Sequence, residues 1–416
     1  MPRPLPPGTD PVVAALVAHG RRAARARRAA SAGLSRRQFL LGAAGTAGTA
    51  ALLAACGTGG GTPGAGGTSG GGGGAGDALR WANWTLYLDQ DDAGGYPTLQ
   101  AFTEQSGIEV EYSEDVDDND TFYGKVQGQL ANGQDIGYDL VTLTDWMAAR
   151  WIRMGYAQTL DREAMPNTAN ILPGLADVDF DPGRTHSLTW QSGFGGLAWD
   201  TEKVPGGMAT VSDLWNPEYR GRIEVLSEMR DTIGLIMAEQ GVDIAGPDWG
   251  DAEFGAALEV LREQIANGQI RQVRGNSYAQ DLVSGDAVAV IGWSGDVTAL
   301  NFENDGRFGF AIPESGGTLW SDNLLVPTPS SRVEDAQTLI DHYYDPVVAA
   351  QVAAYVNYIT PVQGAQEAMA DVDPSLVEEQ LIFPDEATLS QVKVFRTLTP
   401  EEEERYNRDF LDVIGA

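Results

Sequence analysis

The sequence predicts a mixed α/β protein of two lobes, each built on a mostly parallel sheet with helices on both faces, joined by crossover strands. Three observations predict this. A chain of 416 residues is too long for one ordinary domain. Hydrophobic residues make up 43% and aromatic residues 8%, enough for real cores and too much for wholesale disorder. Short apolar runs alternate with helical periodicity in two successive series, and that β-α-β-α order implies parallel strands covered on both faces.

The first 76 residues stand apart from this body. They hold eight of the 27 basic residues and one of the 59 acidic ones. A basic head, then an apolar run, then small residues is the order of an export signal. Ser35-Arg36-Arg37-Gln38-Phe39-Leu40 resembles a twin-arginine signature, with Arg36 and Arg37 as the signal pair. The run from Phe39 to Ala55 is rich in Gly, Ala and Thr and falls short of the ~20 strongly apolar residues of a stable span. It ends in Leu53-Ala54-Ala55-Cys56-Gly57, which resembles a bacterial lipobox, and Cys56 is the only cysteine of the chain. Residues 1–55 therefore read as an export signal and 56–77 as a lipidated, glycine-rich tether, with the fold beginning near Ala78. The expected location is the outer face of the cytoplasmic membrane, with a lipid holding the body to it.

In the body, Leu79–Trp84 reads as a strand, 96–106 as a helix and 108–112 as a strand. Residues 121–130 follow as a helix, 138–143 as a strand and 145–154 as a helix. A second series gives a strand at Ile223–Leu226, helices at 231–240 and 251–267, and a strand at 287–293. Asp251 reads as an N-cap and Gly268 as a C-cap of the longer helix. The last third is helical, most clearly at 332–344. Gln191-Ser192-Gly193-Phe194-Gly195-Gly196-Leu197-Ala198-Trp199 reads as a crossover strand whose glycines let it flex, or else as a bulge or turn. Glu401-Glu402-Glu403-Glu404 before Arg405 and Arg408 reads as a solvated helix face with i,i+4 pairs.

Composition excludes several functions. A net charge of −32 argues against nucleic acid, which needs clustered Lys and Arg. One cysteine and three scattered histidines leave no metal site, and no cofactor motif is present. Gly292-Trp293-Ser294-Gly295-Asp296 nearly mimics a serine-hydrolase elbow, but Asp296 stands where the last glycine is required. Asp115-Val116-Asp117-Asp118-Asn119-Asp120 begins like a calcium loop, then lacks the turn glycine and the bidentate Glu.

The informative residues are aromatics beside acids or hydroxyls at the ends of expected strands, where ligands of α/β sheets bind. They are Asn83-Trp84-Thr85-Leu86-Tyr87, Thr144-Asp145-Trp146, Glu228-Met229-Arg230-Asp231, Trp293-Ser294-Gly295-Asp296 and Trp320-Ser321-Asp322. Ring faces attract ammonium groups by ~0.5–2 kcal/mol each. Carboxylates accept charge-assisted hydrogen bonds of ~1.5–3 kcal/mol each. Such walls suit an elongated organic cation; ordinary core packing is the alternative for any one tryptophan.

These stretches, with Tyr138-Asp139-Leu140-Val141, Asp213-Leu214-Trp215-Asn216-Pro217-Glu218-Tyr219-Arg220-Gly221 and Asn357-Tyr358-Ile359-Thr360-Pro361, carry a resemblance. Over nearly all of 79–410 the body resembles the spermidine/putrescine-type solute-binding proteins of ABC transporters. The resemblance implies a periplasmic-binding-protein-like fold of type II, with lobe one at 78–195 and 295–327 and lobe two at 196–294 and 328–416. It implies ligand contacts from Trp84, Thr85, Tyr87, Thr144, Trp146, Glu228, Asp231, Trp293, Asp296, Trp320 and Asp322. It also implies ABC permease partners, a monomeric state and no enzymatic turnover. The chain departs from the family at Leu86, where an acid is usual, and at Trp146, where a tyrosine is usual. The alternatives are a same-fold binder of a sugar, an anion or a chelated metal, and an extracytoplasmic hydrolase of acid/base type.

Overall fold

The computed structural model describes residues 78–91 and 93–415, the side chains of Phe302 and Glu303 apart. Arg36, Arg37, Cys56 and the tether lie outside the described residues. Strands β1 (Leu79–Trp84), β2 (Val110–Val116) and β3 (Leu140–Thr144) pair in parallel in the order β2-β1-β3. Two long strands, β4 (Ser187–Asp200) and β9 (Gly317–Leu325), run antiparallel to each other from Ser187↔Leu325 to Gly195↔Thr318. Beyond them β5 (Ile223–Leu226), β6 (Ile270–Arg274) and β7 (Ala289–Trp293) form a second parallel group in the order β7-β5-β6. Short β8 (Phe308–Ala311) pairs with the end of β4, and β10 (Val392–Lys393) with the start of β9.

The helices are α1 (Pro97–Ser106), α2 (Asn119–Ala131), α3 (Asp145–Arg153), α4 (Met229–Glu239), α5 (Asp251–Ala266), α6 (Tyr278–Ser284) and α7 (Ser294–Glu303). After β9 come α8 (Val333–Tyr343), α9 (Pro346–Val356), α10 (Ala365–Val372), α11 (Glu386–Leu389) and α12 (Pro400–Ile414). Most expected elements shift by one to three residues at their ends. β2 moves further, because its Ser113-Glu114-Asp115 stretch is polar; as a sheet edge with one face in water, it needs no apolar alternation. Asp251 is the first helical residue rather than the cap: Gly250 caps α5 and donates its N–H to Glu253, 2.9 Å away.

Three expectations are corrected. The two lobes share one continuous ladder rather than two sheets, because β9 pairs with β3 as well as with β4, and β4 pairs with β7. The lobes are distinct in their cores instead, and those cores redraw the boundaries. The first core joins Leu79, Trp81 and Trp190 to Leu339, Ile340 and Tyr343 of α8 and to Val348 and Val352 of α9. The second joins Leu197, Ile223 and Ile291 to Val297 of α7 and to Phe308. Residues 295–311 thus pack with the second lobe, and α8 to α10 with the first. The cause is the direction of β9: it ends at Leu325 beside Val141 of β3, so the chain that follows is delivered to the first lobe and returns only at β10.

The third correction concerns α12. Its acidic start is solvated only in part: Glu401 and Glu404 are exposed, but Glu403 is buried, and Glu402 accepts a 2.8 Å hydrogen bond from Arg396. Arg405 binds Asp251 of α5 instead of an i,i−4 acid.

Arg184 ties the crossover strands together at the first-lobe end. Its fully buried guanidinium donates to Asn323 Oδ1 of β9 and Thr189 Oγ1 of β4, both at 2.7 Å, and to the Leu175 carbonyl at 2.7 Å. Arg184→Ala would strand three buried acceptors and should cost about 3 kcal/mol or more. Urea unfolding with an unchanged slope would register that loss; Arg184→Lys should recover little of it, because an ammonium cannot reproduce the planar fork.

Candidate ligand-binding cleft

The carboxyl ends of β1, β3, β5 and β7 open onto one cleft of about 1320 Å³ between the lobes, with β9 crossing its floor. All eleven residues singled out in the sequence line it. Trp84 ends β1, with Thr85 and Tyr87 just beyond it; Thr144 ends β3 and Trp146 opens α3. Glu228 caps α4 and Asp231 lies in that helix's first turn; Trp293 ends β7 and Asp296 lies in the first turn of α7. Trp320 and Asp322 share one face of β9 by strand alternation, together with Thr318.

Three carboxylates in this cleft have only neutral donors. Asp322 accepts from Tyr87 Oη at 2.9 Å and from Thr144 Oγ1 at 2.7 Å, and Thr144 is itself set by Asn119 Nδ2 at 2.8 Å. Asp231 accepts from Trp293 Nε1 at 2.8 Å and from the Thr318 hydroxyl. Asp296 accepts from Tyr278 Oη and Tyr358 Oη, both at 2.8 Å, and from Asn276 Nδ2 at 3.1 Å. Burial raises the pKa of all three, that of Asp322 to about 7. The nearby charges of Asp145 and Asp231 add to the rise at Asp322.

Aromatic rings wall the same space. Tyr358 meets Tyr87 edge-on at 5.6 Å and Trp320 at 5.1 Å, and Trp320 meets Trp293 at 6.4 Å. This crowding explains the glycine-rich stretch of β4. A Cβ at Gly193 would stand 2.5 Å from the Trp320 ring and 2.8 Å from Tyr358, and one at Gly195 2.9 Å from Asp231. Neither glycine has a positive φ, so the need is for room rather than for flexibility. The β4 ladder does shift register, but between Thr189 and Gln191, ahead of those glycines.

Glu228 and Trp146 stand in a different setting. Trp146 Nε1 donates to Glu228 Oε2 at 3.3 Å, and the Arg230 guanidinium lies 4.2 Å from the Trp146 ring and 3.7 Å from Glu228. Burial lifts Glu228 to about 8, against the pull of Arg230. Unlike Asp296 and Asp322, Glu228 already stands beside a cation, and the charge of the same Arg230 also acts on Asp231. Thr85 and Leu86 are exposed at the mouth; Leu86 has a left-handed backbone (φ 56°) and donates its amide to Glu114 at 2.9 Å.

Besides Thr318 and Asn119, four participants were not singled out by the sequence. Tyr358 lies in the Asn357-to-Pro361 stretch, but nothing there marks its ring as part of the cleft. Tyr278 and Asn276 sit on and just before α6, remote in sequence from Asp296, and only folding brings them to it. Arg230 lies between two acids, and its stacking on Trp146 depends on how the lobes meet.

Comparison with known proteins agrees with this architecture. The chain is 25% identical over 316 residues to the spermidine/putrescine-binding periplasmic protein of Salmonella typhimurium, covering 76% of this chain and 85% of that one. It is 25% identical over 322 residues to a putrescine/agmatine-binding protein of Pseudomonas aeruginosa, covering 72% and 83% of the two chains. Among solved structures, a putative spermidine/putrescine ABC transporter protein of Listeria monocytogenes superposes with a TM-score of 0.70 at 23% identity, over 81% of this chain and 98% of that one. The Tp0655 lipoprotein of Treponema pallidum superposes with a TM-score of 0.68 at 20% identity, over 82% and 100%. These likenesses establish a mixed α/β periplasmic-binding-protein fold. The family model for bacterial extracellular solute-binding proteins matches residues 98–378, well over half of the chain, and the chain belongs to that family of binding proteins.

Proposed function

We propose that this protein is the extracytoplasmic solute-binding component of an ABC importer, and that it captures a polyamine of the putrescine/spermidine class in the inter-lobe cleft. The observation that carries the ligand class is the set of three carboxylates, Asp231, Asp296 and Asp322, held only by neutral N–H and O–H donors inside a box of aromatic rings. Anions bind where cations or helix N-termini face the ligand; these acids would repel them. The names of the relatives favour the same ligand class. In this reading, Trp84, Thr85, Tyr87, Thr144, Trp146, Glu228, Asp231, Trp293, Asp296, Trp320 and Asp322 contact the amine. The lobes close on it by bending at the crossover strands, and the closed monomer delivers it to the permease. Two ammonium ends and a chain packed on the rings supply the ~8 kcal/mol of a micromolar site.

The export reading belongs to the same proposal: Arg36 and Arg37 direct the chain outward, and a lipid on Cys56 holds it at the membrane through the glycine-rich tether. Cys56→Ala should release the protein from the membrane fraction on cell fractionation. Retention at the wild-type level would remove the lipobox.

Calorimetric titration with putrescine, spermidine, a neutral sugar and phosphate tests the ligand class, and only the amines should bind. Asp296→Asn keeps the shape and the tyrosine contacts but removes the charge, and should weaken amine binding by ~1.5–3 kcal/mol, about ten- to a hundredfold. Unchanged amine affinity would take Asp296 out of the site.

The raised carboxylates also set the pH dependence. In the empty protein burial favours the protonated forms of Asp322 and Glu228, so the stability they contribute is complete below the unfolded carboxylate range and declines as pH rises through about 7 at Asp322 and about 8 at Glu228. An ammonium ligand, charged up to a pH of about 10, favours the ionised forms and displaces those protons. Amine affinity should therefore rise from about pH 5 to about pH 8, with net proton release at neutral pH. Titrations in buffers of different ionisation enthalpy read that release directly. Proton uptake would contradict the assignment.

A further inference from the structure

We infer that the C-terminal helix α12 is a strap that closes the cleft wall across the lobes, with Glu403 as its positioning residue. The helix is rooted in the second lobe. Tyr406 stacks on Phe254 of α5 at 4.1 Å and 13°, Phe410 is in the second core, and Tyr406 Oη donates to Asp251 at 2.8 Å. Its other face reaches into the first lobe. Glu403 Oε1 accepts from Arg150 Nη2 and Glu403 Oε2 from Arg153 Nη2, both at 3.0 Å and both from α3. One turn on, Asn407 Nδ2 donates to Asp120 of α2 at 2.9 Å, and the other oxygen of Asp120 accepts from Arg150, also at 2.9 Å.

The cluster continues into the cleft wall. Arg230, from the second lobe, lies 3.6 Å from Glu403 and 4.2 Å from the ring of Trp146, which belongs to the first lobe. Arg150 lies 5.0 Å from the same ring. Trp146 is thus held by a guanidinium from each lobe, and Glu403, only 6% exposed, is the acid to which both guanidiniums lead. Arg150, Arg153 and Arg230 face the acids Glu403 and Asp120, with Glu228 beside Arg230. Without Glu403 the arginines outnumber the acids across the lobe interface. The attraction that Glu403 exerts on Arg150 and Arg153 across the interface is then lost, and the Trp146 wall loses its support. None of these charges belongs to the three-carboxylate set, so the strap favours closure through the protein's own charges and governs how long a ligand stays.

The inference rests on the cleft being a binding site but not on the identity of its ligand, and the test separates the two. Dyes on Gln134→Cys and Glu259→Cys, one exposed position in each lobe, report lobe separation by energy transfer in the mature full chain in detergent. In the ligand-free protein, Glu403→Gln should lower transfer, and high salt should move the wild type in the same direction. With putrescine as the probe in stopped flow, Glu403→Gln should raise the dissociation rate about tenfold and leave the association rate within about twofold. Asn407→Ala, a milder change on the same face, should act in the same direction with a smaller effect. Arg150→Gln combined with Glu403→Gln should be non-additive. If Glu403→Gln leaves both transfer and dissociation unchanged, whatever happens to its melting temperature, the strap is overturned and Glu403 is a structural residue only. If putrescine and spermidine fail to bind the wild type, the polyamine reading falls, and the energy-transfer measurement decides the strap alone.

Discussion

A strand that passes from one lobe to another must satisfy its backbone groups along its whole length, and β4 and β9 do so by pairing with each other from Ser187↔Leu325 to Gly195↔Thr318. Most of the architecture follows from that pairing. Because each strand also borders a parallel group, β9 beside β3 and β4 beside β7, the two lobes are held on one ladder while keeping separate cores. Because the pair crosses the cleft floor, the side chains on one face of β9 stand where the parallel strands of both lobes end. Thr318, Trp320 and Asp322 therefore meet Asp231, Trp293, Tyr87 and Thr144, which come from elements far apart in sequence. The glycines of β4 serve the same pairing from beneath, leaving room for Trp320 and Tyr358.

The cleft built on this floor holds two charge systems that work differently. Asp231, Asp296 and Asp322 are buried or half-buried acids whose hydrogen-bond donors are all neutral hydroxyl and N–H groups. Leaving such groups ionised costs energy, and their raised pKa values express that cost. It is a cost that a bound ammonium removes. Around Trp146, by contrast, arginines and acids neutralise one another across the lobes without any ligand. On the proposed reading, the first system selects the charge type of the ligand and the second acts on the approach of the walls.

The sequence by itself determined the strands and helices that carry a clear local periodicity or a short apolar run, such as Leu79–Trp84 and Ile223–Leu226, but it did not mark β6, α6, β8 or the crossover strand β9, in a last third that reads as helical. It also placed most of the aromatic and acidic residues at strand ends, because the end of a parallel strand is a local feature and an α/β sheet turns such ends towards its ligand. Trp320 and Asp322 were expected at such an end too, but they lie inside the antiparallel strand β9 and reach the cleft because that strand crosses its floor. Tertiary structure decided the rest. The return of α8 to α10 to the first lobe depends on the direction in which β9 leaves the floor, and no local pattern encodes a strand's direction relative to distant neighbours. The partners of Asp296 come from α6 and from Tyr358, and the role of Glu403 depends on arginines more than two hundred residues away. A run of four glutamates looks like a solvated surface from its own neighbours alone. Only when α12 is docked across the lobe interface does one of the four become buried and paired, because burial and ion pairing are properties of the folded surroundings rather than of the chain segment.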